Sequence, residues 1–128
     1  MKSVLKLIMP TLQKTYENEI AEITEKIIKG YNPEKIILFG SAAKGELRKD
    51  SDADFFIIKD TEERFFNRCR AVRRLIRGRE IPVDIIVYSP KEVNHALEIG
   101  SFFTEDIIKN GKVLYEKERS SKSLVEKS

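Results

Sequence analysis

Residues 35–58 read KIILFGSAAKGELRKDSDADFFII. Two short, apolar, β-branched runs, Lys35–Phe39 and Ala53–Ile58, bracket a polar segment, and each has the length and composition of a buried strand. Gly40 ends the first run. Ser41 to Lys44 has room for one helical turn, and Gly45 to Asp50 reads as a polar loop. Asp52 and Asp54 stand where the second run begins. Side chains two apart on a strand project to one face, so these carboxylates point together. An apolar interior would not accept them unpaired. They need water, a cationic side chain or a metal ion. A hard divalent cation such as Mg²⁺ takes carboxylate oxygens together with water or phosphate oxygens.

A third apolar run, Pro82–Tyr88, carries Asp84 near its start. If this strand lies beside the second, Asp84 joins the other two acids. Three carboxylates on two neighbouring strands could hold two Mg²⁺ ions, or one Mg²⁺ and a proton acceptor, which suits in-line phosphoryl or nucleotidyl transfer. The Gly40–Ser41 pair fits the same chemistry. Glycine lets a phosphate approach the backbone, free N–H groups at a helix start attract anions, Ser41 adds a hydroxyl, and Lys44 could neutralise phosphate charge. Neither a P-loop nor a Gly-x-Gly-x-x-Gly fingerprint is present.

Helices surround these runs. Leu12, Tyr16, Ile20, Ile23 and Ile27 recur at helical spacing, with Gly30 placed as a C-terminal cap. Pro10 disfavours helical geometry at Met9, which leaves open whether Val4–Met9 extends this helix or forms a separate turn or a kink. Thr61–Arg77 reads as a helix capped by Thr61, with Phe65, Cys69, Val72 and Ile76 on its buried face. Ser89-Pro90 opens another helix, to about Leu97. Ser101–Asn110 forms the last helix, followed by a short extended piece, Val113–Tyr115. This order implies a small sheet packed by helices. One domain over residues 1–116 and a disordered polar tail over 117–128 are expected.

Composition narrows the classes of function. A chain of 128 residues with 35% charged residues and 41% hydrophobic residues suits a charged globular domain. The single cysteine, Cys69, permits no intrachain disulfide and fits the cytoplasm. No apolar run approaches a membrane span, and Lys6 and Pro10 interrupt the signal-like start. A net charge of +3 is too mild to argue for nucleic acid by itself. Seven arginines crowd residues 64–79. They read first as a solvated basic face and second as a docking surface for an acidic partner or RNA, the scarcity of interleaved aromatics counting against RNA. His95 lacks companions for zinc, and Tyr88 and Tyr115 read as packing residues.

Phe39-Gly40-Ser41, then ten residues, then Asp52-Ala53-Asp54-Phe55, then Val83-Asp84-Ile85, resembles the nucleotidyltransferase superfamily that includes DNA polymerase β. The short chain and its end, Gly100–Phe103 through Gly111–Glu116, resemble the minimal nucleotidyltransferases (MNT proteins). The likeness covers about Ile20 to Glu116. It implies an α/β (α+β) nucleotidyltransferase fold, a small mixed sheet flanked by helices. It implies that Asp52 and Asp54 bind Mg²⁺, that Asp84 shares a metal or activates the acceptor hydroxyl, and that Gly40, Ser41 and Lys44 hold ATP. It further implies an antitoxin that transfers AMP to a tyrosine of a helical HEPN toxin. Two alternatives stay open: an antitoxin that blocks its partner sterically, and a small-molecule nucleotidyltransferase completed by a homodimer. Neither a membrane nor nucleic acid as direct substrate is expected. Many relatives have Gly-Ser-Arg-Ala-Arg-Gly where this chain has Gly-Ser-Ala-Ala-Lys-Gly. The change removes one positive group and replaces a bidentate fork by a point charge.

Overall fold

A computed structural model describes residues 2–45, 52–79 and 81–118, with side chains from Tyr16 onward. Most of the expected polar loop (46–51) and most of the expected tail (119–128) therefore lie outside the described residues. Helix α1 (Lys2–Tyr31) leads into strands β1 (Lys35–Phe39) and β2 (Ala53–Ile58). Helix α2 (Phe65–Leu75) connects to β3 (Val83–Tyr88), and α3 (Pro90–Glu98) and α4 (Phe102–Asn110) precede β4 (Lys112–Glu116).

The four strands form one mixed sheet in the order β3-β2-β1-β4. β1 pairs antiparallel with β2 on one side and with β4 on the other, while β2 and β3 are parallel through the α2 crossover. The extended piece read at Val113–Tyr115 is thus an edge strand of the sheet. Its pairing with β1 carries a register shift between Ile36 and Ile37. Beyond it, the Lys117 N–H donates to the Glu34 carbonyl at 2.8 Å.

The alternation of each strand divides the core in two. Ile36 and Leu38, Phe55 and Ile57, and Ile85 and Val87 face α1 and α2, meeting Ile20, Ile23, Ile27, Cys69, Val72 and Ile76. Ile37 and Phe56 face the opposite way, onto Val93 of α3 and Ile107 of α4. Two helices therefore cover each face, as the small sheet packed by helices required.

One open point is answered and two local expectations are corrected. The first helix is continuous across Pro10, with no break at Met9. Thr61 does not cap α2. Its hydroxyl accepts from the Glu63 N–H at 3.1 Å, forming a local turn, and the helix begins only at Phe65 after an extended Arg64. Phe65 is not on the buried face; it is 47% exposed and packs edge-on against Tyr88. The buried place belongs to Arg68, whose Nε donates to the Glu63 carbonyl and whose guanidinium pairs with Glu92 of α3. Ser89, by contrast, caps α3 as expected, in a reciprocal box with Glu92.

Candidate active site

Asp54 and Asp84 stand opposite each other in the parallel β2–β3 register, and Phe39 stands opposite Asp54 on β1. Register neighbours share a face, so the two carboxylates project together, and their side chains are hydrogen-bonded. Asp52 is exposed just before β2. Burial, then the charges of Asp84 and Asp52, then the hydrogen bond to Asp84, push the Asp54 carboxyl up to about 6. Among the described residues, no three Asp, Glu, His or Cys side chains stand in a ready-made metal cluster.

The Gly40 turn closes over this pair. Gly40 has φ +74°, a conformation that side-chain-bearing residues rarely adopt. A Cβ added there would fall 2.3 Å from Oδ2 of Asp54. Glycine is therefore required twice, for the backbone and for the carboxylate beside it. Ser41 to Gly45 then forms two overlapping turns, in which the Lys44 N–H donates to the Ser41 carbonyl and the Gly45 N–H to the Ala42 carbonyl. The N–H groups that open the turn have no backbone partner among the described residues. Ser41 is half-buried in this turn and Lys44 is exposed. Gly40→Ala is expected to slow any reaction at these acids by about 10²-fold by displacing Asp54. Steady-state rates of the variant check this, and a wild-type rate would remove Gly40 from the site.

Sequence reasoning placed Tyr16 only in the core stripe of α1. The structure buries it midway along that helix, within reach of the charges of the acids at the start of β2. Burial first, then the charges of Asp54 and Asp52, raise its phenol above the usual value of 10. It also lines a cavity of about 550 Å³ with Ala42, Ala43 and Gly45 of the turn. The one polar tip in the otherwise aliphatic stripe Leu12, Tyr16, Ile20, Ile23 and Ile27 is the signal that could have found it. On the acid face of the sheet, β3 continues through Ile86 and Tyr88 into a groove of about 800 Å³ that also meets Phe65, His95 and Ile99. The lone histidine is exposed there, far along the strand from Asp84.

A mixed sheet with two helices on each face, a Gly-Ser turn, and paired acids on adjacent strands defines a nucleotidyltransferase fold. The sequence pattern of "Polymerase beta, Nucleotidyltransferase" matches residues 21–120, and the chain belongs to this family. The fold is similar to the crystal structure of a candidate nucleotidyltransferase from Sulfolobus solfataricus. That likeness has a TM-score of 0.60 at 26% identity, over 86% of this chain and 88% of the other. No curated protein matches the chain significantly. Members of the family generally use a nucleoside triphosphate and a divalent metal ion. Among the described residues, no helix is long and apolar enough to cross a membrane.

Proposed function

We propose that this chain is a Mg²⁺-dependent nucleotidyltransferase that joins the AMP of ATP to a hydroxyl group, and that the acceptor is a tyrosine of a HEPN-type toxin for which the chain is the antitoxin. The observation that carries the transferase reading is the Asp54–Asp84 contact beneath Gly40. The antitoxin part rests on the likeness to minimal nucleotidyltransferases.

The donor set fits a hard cation. Two carboxylates in contact, one holding its proton up to about pH 6, lack positive charge. Asp54 and Asp84 would hold a divalent ion between them, with the exposed Asp52 the nearby third acid. Such an ion supplies charge neutralisation on the phosphates and at the attacking oxygen. The chain's own groups do the rest. The opening N–H groups of the turn, the Ser41 hydroxyl and Lys44 hold the triphosphate. Asp84 takes the acceptor's proton. The acceptor oxygen bonds to the α-phosphorus, the bond from that phosphorus to the bridging oxygen breaks, and pyrophosphate leaves. The groove running from Ile86 past Tyr88 gives the acceptor room to lie along β3.

The test adds the purified protein, Mg²⁺ and α-phosphate-labelled ATP to lysate of its own host, with the Asp54→Asn variant in parallel. A labelled protein that appears only with the wild type is expected, and its mass identifies the acceptor. Label confined to a small molecule would replace the acceptor assignment. No transfer of label at all would overturn the catalytic reading.

A further inference from the structure

Seven of the nine arginines of the chain fall between residues 64 and 79, while no lysine lies between Lys59 and Lys91. The structure separates these arginines by role. Arg68 is buried and paired with Glu92. Arg70, Arg73 and Arg74 are exposed on α2, and Arg77 is exposed in the turn that ends it. At 100° per residue, Arg70 and Arg74 lie opposite the buried Val72, Phe66 and Arg73 fall beside them toward the edge of the buried face, and Arg77 follows just beyond the helix. None of the four arginines makes an ion pair with a described carboxylate. Phe66, at the head of the stripe, is 71% exposed, and its neighbour Phe65 is 47% exposed.

Four like charges side by side repel one another, and an anionic partner relieves that repulsion. Arginine, used here to the exclusion of lysine, presents a planar fork that matches phosphate or carboxylate oxygens two at a time. The surroundings favour phosphate. A protein interface has an apolar centre depleted of charge, whereas this stripe is charged along its length with its aromatics at one end. Polar, strongly positive surfaces flanked by exposed aromatic rings suit a nucleic-acid strand, whose phosphates meet the cations and whose bases stack on the rings. The exposed Phe66 supplies an aromatic beside the arginines, where their scarcity had counted against this partner, whereas Phe65 packs against Tyr88. The mild net charge of the whole chain conceals the patch, because acids elsewhere balance it.

We propose that the outer face of α2 binds single-stranded nucleic acid, through Arg70, Arg73, Arg74 and Arg77 on its phosphates and Phe66 on a base. This surface is separate from the acids at the start of β2, so the proposal does not rest on the transferase reading. The test is fluorescence polarisation of a labelled oligouridylate of about twelve nucleotides. Saturable binding is expected. Its affinity falls with a log–log salt slope of about −2.8 for four phosphate contacts, or about fiftyfold between about 50 and about 200 mM KCl. Changing the four arginines to Gln is expected to weaken binding at least about tenfold and to flatten that slope. Phe66→Ala is expected to weaken it about fivefold or more at unchanged slope. Circular-dichroism melts confirm that both variants fold. Unchanged binding by the fourfold variant would overturn the proposal. So would failure of the oligonucleotide to saturate a protein that binds polyglutamate, which would assign the stripe to an acidic protein instead.

Discussion

Asp54→Asn is expected to abolish nucleotidyl transfer, by at least about 10³-fold, and at the same time to make the protein more stable at pH 8. The two effects share one cause. Asp54 is held beside Asp84 and Asp52, and its carboxyl is raised from 3.8 to about 6 by burial first and by those neighbours next. A carboxyl raised on folding opposes folding wherever it is ionised. The native state is therefore favoured, relative to the ionised form, below the unfolded value, and this advantage is lost as the pH climbs through about 6. Asparagine carries no charge and forgoes the penalty. Thermal midpoints of variant and wild type should match near pH 3.5 and diverge in the variant's favour above pH 6. Mg²⁺ should raise the wild-type midpoint at pH 8 and leave that of the variant nearly unmoved, since only a ligand bound to the native state stabilises it. A fully active Asp54→Asn protein would refute the metal assignment. A variant no more stable than wild type at pH 8 would refute the strained acid pair.

Glu92→Ala is expected to cost about 3 kcal/mol of folding stability. Two interactions end with that side chain. Its Oε1 accepts from the Ser89 N–H at 2.7 Å, closing the capping box of α3, and also receives the guanidinium of Arg68. Arg68 is 7% exposed, so truncation leaves a buried cation without its carboxylate, its remaining acceptors being the carbonyls of Glu63 and Val87. Burial alone would raise the Glu92 carboxyl, but the Ser89 N–H and Arg68 outweigh it and hold it below its ordinary value. The sign is opposite to that of Asp54. Stability from Glu92 is present above its unfolded value of 4.5 and fades as the pH drops through the lower folded one. Urea melts at pH 7 and pH 3.5 measure both, with the gap between wild type and variant narrowing in acid. A loss below about 1 kcal/mol at pH 7 would mean that water satisfies Arg68.

How much of this was legible in the chain follows from the range over which each feature is determined. β1 and β2 announce themselves by composition, and α3 by Ser89-Pro90 with Glu92 three residues on. The Gly40–Ser41 turn and the Asp52–Asp54 spacing are equally local. The meeting of Asp54 and Asp84 was legible only as a condition, because it depends on two strands thirty positions apart choosing a parallel register. The fourth strand showed less clearly. Lys112–Glu116 carries one buried-type stripe too short to distinguish an edge strand from a loop, and its partner lies over seventy residues earlier. Thr61 and Phe65 were misread for one reason. Both fit the ends of an amphipathic helix, but Arg68, an unpromising core residue by type, takes the inward place and reaches back to the Glu63 carbonyl. That pairing requires Glu92 on another element, which no local pattern reveals. Pro10 was weighed by intrinsic preference alone, and the surrounding helix overrides it.

The parallel pairing of β2 with β3 also sets an order of assembly. Asp52 and Asp54 leave the ribosome with β2, next to the Gly40 turn, and the antiparallel β1–β2 pair can close around them without any later part of the chain. Asp84 arrives only after all of α2, and reaches Asp54 only when that crossover has packed. A nascent or truncated chain ending before β3 thus has the Gly40 turn and two acids but not the partner carboxylate that completes the pair. The acid pair is withheld until the crossover through α2 has closed.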